Sequence, residues 1–351
     1  MLSHALEIIS AGADLSRAEA EAAMEDILSG RATVRQIVEF LSGLSAKGET
    51  VDELVAFALA IRRHAPPIFP TAHAHALQAL VDTCGTGGDR SGTFNISTVV
   101  AFVVAGAGVR VAKHGNRSIS SRCGSADVLE ELGVEINLPP ESIRRSIETV
   151  GIGFLFAPAL HTATRHAAAA RRELKKRTVF NLLGPLTNPA KASTQVVGVY
   201  DRAVSQAMAR ALGELGVRRA FVVHGADGLD EISLSGPTYI SELREGAVES
   251  YRVTPEVFGL DRAPLDAIRG GDAKQNAEIV HSILDHPLVH NPYRDIVLAN
   301  AAAALVAVGA ARDFQEGVRL GAQSIDSGRA RKSLDHLVAF SQAEKERAAP
   351  S

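Results

Sequence analysis

Through the first 72 residues apolar side chains recur every three or four positions among polar ones, the spacing of helices that bury one stripe. Ser16 with Glu19, and Thr50 with Glu53, set a hydroxyl three positions ahead of a carboxylate. Each pair predicts a helix start, where the two side chains satisfy each other's free backbone donors. Gly30, Gly43 and Gly48 punctuate the stretch. The run RRHAPPIFP, Arg62 to Pro70, ends it, because proline lacks a donor and pushes its predecessor out of the helical region. A domain boundary is expected there. Beyond it the period changes: short β-branched runs alternate with Ala-rich helical patterns. Strands are predicted at Leu80–Asp82, Val109–Ala112, Val134–Ile136, Gly153–Phe156, Gln195–Tyr200 and Ala220–Val223, several apolar throughout, as in strands covered on both faces. Helices are predicted at Ser97–Ala107, Ser125–Leu132, Glu141–Val150, Ala203–Leu215, Asp272–Leu284 and Arg294–Val308. The alternation implies a large α/β domain whose central, mostly parallel sheet is flanked by helices, after a small all-helical domain. There is no internal repeat, and only the tail AEKERAAPS reads as disordered.

Composition narrows the function. With 351 residues, 46% hydrophobic and 22% charged, the chain is long enough for two domains. Aromatic residues are 5% and Trp is absent, which disfavours an aromatic-lined surface for bases or sugars. A net charge of −3 gives no bulk attraction to nucleic acid or to an anionic membrane, so any anion binding must be local. Cys84 and Cys123 both lie in glycine-rich stretches and are too few for a disulfide framework or a zinc site. The N-terminus has no basic segment leading into an apolar core, and the longest apolar run, Val99 to Val109, is too short to cross a bilayer. A cytoplasmic, soluble protein is expected.

The chemistry is concentrated in loops. DTCGTGGDRSGTFNIST follows a predicted strand and opens a helix, the layout in which glycines let backbone N–H groups approach a phosphate at the helix N-terminus. It matches neither GxxxxGK[ST] nor GxGxxG, so no nucleoside triphosphate or dinucleotide site is indicated. The next strand runs into Lys113, His114, Gly115, Asn116 and Arg117, then Ser118, Ser120 and Ser121, adding a point charge and neutral donors. His114 reads as a structural hydrogen-bonder. In VVHGADGLDEIS a strand and a glycine loop lead to the adjacent carboxylates Asp230 and Glu231, hard oxygen ligands suited to Mg²⁺ beside a phosphate. In AAAARRELKKRTVFNLLGPLTNPA, Lys175 and Lys176 read as surface charge.

These stretches closely resemble the anthranilate phosphoribosyltransferase family. The resemblance runs in order through GTGGD…TFNIST, VAKHGNRSISS, GSADVLEELG, FLFAP, RTVFNLLGPLTNPA, HGADGLDEIS, RGGDAKQNAEIV and NAAAALVAVG. It implies that Gly85, Gly88, Asp89, Thr93, Asn95, Ile96, Ser97 and Thr98 hold phosphoribosyl pyrophosphate, with Lys113, His114, Gly115, Asn116, Arg117, Ser118, Ile119, Ser120 and Ser121 forming a second loop on it and Ser125 closing the site. Gly85, Asn116 and Arg171 are implied to meet anthranilate, and a guanidinium at Arg171 suits a carboxylate as a fork. Ser97, Asp230 and Glu231 are implied to hold Mg²⁺, two ions per subunit. No single residue is expected to act as a covalent or proton-transfer catalyst. The resemblance further implies a small domain of residues 1–72, joined by helices from about 160–190, a large domain of residues 73–351, and a homodimer through the small domain. Two positions depart from the family's common pattern: Thr162 follows His161 where a Pro is usual, and Cys123 stands where a Ser is frequent.

The implied reaction displaces pyrophosphate from ribose C1 by the anthranilate amine, so the protein needs positioning and charge neutralisation rather than a nucleophile. A pyrimidine nucleoside phosphorylase is the nearest alternative; GPLTNPA, Arg171 and the Asp230–Glu231 pair count against it. A non-catalytic nucleic-acid-binding relative would need a basic surface, which the net charge does not supply.

Overall fold

The computed structural model describes residues 1–70, 79–118, 122–285 and 290–348. Four helices come first: α1 (Leu2–Ser10), α2 (Arg17–Leu28), α3 (Val34–Lys47) and α4 (Val51–His64). The capping boxes at Ser16/Glu19 and Thr50/Glu53 form as expected, and a third, Thr33 with Gln36, starts α3. Then comes a seven-stranded sheet: β1 (Leu80–Gly85), β2 (Arg110–Gly115), β3 (Ile152–Phe156), β4 (Thr194–Gly198), β5 (Arg219–Gly225), β6 (Thr238–Arg244) and β7 (Ala247–Val253). Their order is β3-β2-β1-β4-β5-β6-β7, the first five parallel and the last two antiparallel.

Alternate strand residues enter different cores, as the two-residue repeat of a strand requires. Val196, Phe221 and Val223 join the cluster containing α5 (Ile96–Gly106), α6 (Ser125–Glu131) and the helix Pro292–Ala307. Val197 and Val222 face the opposite way, into a cluster with α1–α4, the helix Val179–Leu186 and the helix Ser205–Glu214. The N-terminal bundle therefore packs against one face of the sheet through those two helices. Among the described residues no helix is long and apolar enough to cross a membrane.

Two expectations about the fold are corrected. Val134–Ile136 is not a strand, although Val134 and Ile136 are buried and Glu135 is not. That alternation comes from the helix Arg329–Ala348 lying alongside: the Glu135 amide donates to Ser341 Oγ (3.0 Å) and Lys345 pairs with Glu135 (2.9 Å). The same helix runs through Ala348, so most of the tail expected to be disordered is ordered. Glu344, buried there, accepts from Ser142 Oγ (2.6 Å). The hairpin β6–β7 and the helices Phe314–Asp326 and Arg329–Ala348 were not anticipated.

Candidate active site

Because β1 to β5 are parallel, their carboxyl ends meet on one edge, and the loops leaving β1, β2 and β5 line one cleft of about 910 Å³. Gly85, the last residue of β1, and Gly88, Asp89, Thr93, Asn95, Ile96 and Ser97 form its first wall. Gly88 has φ +79°, which a side chain would strain, and the Arg177 guanidinium donates to its carbonyl while lying 4.2 Å over the Tyr200 ring. At the other end Thr93 bridges to Arg269, and Asn276 Nδ2 donates to Asn95 Oδ1 (2.9 Å). Among the described residues no side chain caps the N-terminus of α5; the Ile96 amide donates to the Phe94 carbonyl (2.8 Å) and the Thr98 amide to the Asn95 carbonyl (3.1 Å). Thr98 does not reach the cleft wall; it is fully buried, its hydroxyl unpartnered among the described residues.

The second wall starts at Lys113. Its ammonium is nearly buried, donating to the Thr83 carbonyl (2.7 Å) and to Ser97 Oγ (3.1 Å), which ties the end of β2 to the start of α5. Burial pulls its pKa down, while Asp82, Cys84 and Glu231 act against that. Gly115 and Asn116 follow, and Ser125 Oγ seats the turn by donating to the Asn116 carbonyl (3.2 Å). Arg117 lines the cleft, but its guanidinium is engaged by Asp127 (2.9 Å) and Glu130. Ser118 lies beside it, its amide donating to Asp127 Oδ2 (3.2 Å). Ile119, Ser120 and Ser121 lie outside the described residues.

His114 lines the cleft, with its ring turned to Gly184 and His161. Its Nδ1 lies 3.2 Å from the Gly184 carbonyl and must carry the proton, so its Nε2 accepts from His161 Nε2 at 3.2 Å. Burial, then the neighbouring His161, pushes the His114 pKa down to about 3; burial and Arg62 push His161 down to about 4. Both rings titrate near 6.5 when unfolded, so the folded form loses stability as pH falls below that value, by about 1.4 kcal/mol per pH unit per ring. The two rings therefore pull the unfolding midpoint down between pH 6.5 and 4, against the opposite pull of the raised Asp230 and Glu231 carboxyls. In a thermal series His161→Gln should remove one ring's share of that fall, so that the variant gains on the wild type as pH drops; a difference that does not change with pH would contradict the assignment.

The third wall brings Asp230 and Glu231 against the first. Asp227 organises their loop, accepting from Ser233 Oγ (2.6 Å) and Ser235 Oγ (2.5 Å). The Asp230 amide lies 3.5 Å from Asp89 Oδ2, so three carboxylates crowd beside Ser97. Burial first, then Asp89 and Glu231, pushes the Asp230 carboxyl far above its ordinary range; burial pushes Glu231 up to about 8, with Lys113 opposing. A divalent cation would relieve that repulsion. Among the described residues no three acidic, His or Cys side chains form a ready cage. That suits Mg²⁺, which takes one or two carboxylates plus substrate phosphates rather than a full protein shell.

Arg171 faces the same cleft from the helix Ala168–Leu174, its guanidinium 5.2 Å over the Phe180 ring. Burial lowers its pKa, and no carboxylate of the described residues pairs with it. A desolvated cation of this kind suits an incoming carboxylate. Sequence reasoning did not single out Arg90, Arg122, Arg177, Arg269, Phe180 or Asn276 as site residues, although all line the cleft. Four of them lie in the family-like stretches RTVFN and RGGDAKQN, where their residue types alone suggested no role.

Fold and cleft together define a glycosyl transferase: residues 3–65 match the glycosyl transferase family, helical bundle domain, and residues 77–331 the glycosyl transferase family, a/b domain. The chain is 55% identical to the anthranilate phosphoribosyltransferase of Symbiobacterium thermophilum over 95% of its length and 96% of the relative's. It is 53% identical to that of Moorella thermoacetica, covering 97% of this chain and 98% of that one. Among solved structures it superposes on the Thermus thermophilus anthranilate phosphoribosyltransferase with a TM-score of 0.88 and 41% identity, covering 96% of this chain and 99% of that one. The Saccharomyces cerevisiae enzyme in complex with PRPP and Mg gives a TM-score of 0.87 at 26% identity, covering 97% and 98%. The chain belongs to the anthranilate phosphoribosyltransferase family.

Proposed function

We propose that this chain transfers the phosphoribosyl group of phosphoribosyl pyrophosphate to the amine of anthranilate, giving N-(5-phosphoribosyl)anthranilate and pyrophosphate in tryptophan biosynthesis. The observation that carries the reading is the convergence of the glycine loop, Lys113, the Asp230–Glu231 pair and the unpaired Arg171 on one cleft. Free backbone amides of the Gly85–Asp89 loop hold the diphosphate beside the start of α5, and the Lys113 ammonium faces it. Arg171 receives the anthranilate carboxylate, with Asn116 and Gly85 beside the amine. The aromatic amine attacks ribose C1 without prior deprotonation as the C1–oxygen bond to pyrophosphate breaks; its proton then leaves to solvent. Asp230, Glu231 and Ser97 would hold Mg²⁺, two ions in this reading, which would supply positive charge against the departing diphosphate. The chain's own contribution is alignment and electrostatics.

The same reading assigns residues 1–72, with the helices between about 160 and 190, to a small domain and residues 73–351 to a large one. Supporting it, Ala167, Ala170, Val179 and Leu183 share the apolar cluster of α1–α4. It also takes the chain to act in the cytoplasm as a homodimer through the small domain, where Val34 and Leu59 are exposed apolar residues. Light scattering on the purified chain tests the dimer.

The activity is tested by mixing the protein with phosphoribosyl pyrophosphate, Mg²⁺ and anthranilate and following anthranilate fluorescence. Loss that requires all components is expected; no loss, with phosphorolysis of thymidine instead, would refute the proposal. For Arg171→Ala, the KM for anthranilate should rise about 10–100-fold, the worth of one charge-assisted pair, while the KM for phosphoribosyl pyrophosphate stays within about twofold. Equal rises in both would remove Arg171 from the acceptor side.

A further inference from the structure

The sheet divides at the site. Between β1 and β2 the paired residues stop at Val81 and Val111, whereas β1 stays paired with β4 to Gly85 and Gly198, and β2 with β3 to Gly115 and Phe156. The gap is bridged by side chains. Asp82, fully buried, accepts the His114 amide on Oδ1 (3.0 Å). Asn188, within GPLTNPA, donates to Asp82 Oδ2 (2.8 Å) and to the Ala112 carbonyl (2.9 Å), and its Oδ1 accepts the Ala190 amide (2.9 Å). Every hydrogen-bonding capacity of that amide except one lone pair is thereby used. Gln195 Nε2 reaches Asp82 Oδ2 more weakly (3.4 Å) and is held by the Pro185 carbonyl (3.0 Å).

Neither Asp82 nor Asn188 lines the cleft, and Asp82 is held by hydrogen bonds rather than by a direct ion pair with a described residue. A buried carboxylate without a contacting counterion is costly, and an apolar side chain of similar size would usually pack there at lower cost. What an apolar residue cannot do is take the His114 amide while anchoring a second strand. Lys113 is the residue that gains: released from β1 pairing, it crosses the gap to Thr83 and Ser97.

We propose that Asp82 and Asn188 are positioning residues for the transfer reaction, a carboxylate–amide wedge that parts β1 from β2 and fixes the Lys113 ammonium where the donor's diphosphate binds. The inference rests on the cleft being the site of phosphoribosyl transfer. It also explains why GPLTNPA accompanies the phosphate loops: Asn188 holds the opening from which the diphosphate's cation projects.

The test compares Asp82→Asn, Asn188→Ala, the milder Gln195→Met and the exchanged pair D82N/N188D with the wild type in the three-component assay, with thermal unfolding measured in parallel. In Asp82→Asn two amide NH₂ groups meet, and the KM for phosphoribosyl pyrophosphate should rise about tenfold or more with a fall in kcat, while the KM for anthranilate stays within about threefold. Asn188→Ala should behave alike, Gln195→Met should shift the donor KM only about two- to threefold, and the exchanged pair should recover part of the loss because it restores one carboxylate–amide contact. Unchanged donor KM in folded variants, with kcat tracking the folded fraction, overturns the proposal. So does failure of all the variants to fold, since the wedge would then be holding the domain as a whole. A wild type that consumes no anthranilate refutes the transfer activity instead, so the two failures are distinct.

Discussion

Replacing Asp230 and Glu231 together by Asn and Gln is expected to lower turnover by about 10³-fold or more while making the ligand-free protein more stable in alkaline buffer. The first effect follows from losing the carboxylates assigned to Mg²⁺, since charge neutralisation of a leaving group is worth several kcal/mol. The second follows from the direction of the shifts: both carboxyls are raised, Glu231 to about 8, by burial and by the Asp89 charge nearby. A raised carboxyl favours the folded state at low pH, and that contribution is lost as pH rises through its folded pKa. Neutral amides avoid the repulsion, so the unfolding midpoint at pH 8–9 without Mg²⁺ should rise by a few degrees. His114→Asn should cost turnover much less. Kinetics and thermal scans together decide the matter: a double variant that is both active and less stable at pH 9 would mean the pair is an ordinary surface feature.

Gly198→Ala should be nearly as damaging, although Gly198 carries no functional group. Gly198 closes β4, and a methyl group built there would overlap the Asp230 carbonyl oxygen outright and lie 3.2 Å from Asp230 Cβ. Gly85 beside it is similarly confined, its Cβ position 3.2 Å from Asp230 Oδ2 and 3.3 Å from the Gly198 carbonyl. The third loop is thus seated on two glycines at the ends of adjacent strands. Overpacking of this kind costs about 1–3 kcal/mol, and the obvious relief is to move Asp230 away from Asp89 and Ser97. The folded Gly198→Ala protein should need at least about tenfold more Mg²⁺ for half-maximal rate, with total activity down about 100-fold. An unchanged Mg²⁺ requirement would show that the loop tolerates displacement.

Much of this was legible in the sequence because the strands that carry the site are short, apolar and followed at once by polar loops. Gly85, Lys113 and Asp230 announce themselves as glycine, cation and carboxylate at strand ends. The residues that escaped notice act through space. Gly198 looks like any glycine in a valine-rich run, and only the approach of a loop 32 positions later gives it a role. Asp82 and Asn188 are polar residues in apolar surroundings whose pairing spans 106 positions. Val134–Ile136 misled for a related reason: burial alternates along an irregular segment when a helix lies on one side of it, and period alone does not name the partner. The hairpin β6–β7 was hidden by its polar outer strand, where Glu249 and Arg252 are exposed and only Val253 is buried.

Arg117 illustrates how structure redistributes roles within a motif. In the sequence it is one more cation in a phosphate-binding run, yet its guanidinium is neutralised by Asp127 and Glu130. It braces the turn that presents Asn116, leaving Lys113 and Arg171 as the cleft cations singled out from the sequence that make no direct ion pair among the described residues. The two stand on different walls of the cleft, which is the separation a reaction between an anionic donor and an anionic acceptor needs.

The most direct test is a crystal structure of the protein with phosphoribosyl pyrophosphate and Mg²⁺. The diphosphate should lie between the Gly85–Asp89 amides and Lys113, with metal density bridging it to Asp230 and Glu231. A donor bound elsewhere, or bound in the cleft with its diphosphate turned away from those groups, would contradict the account.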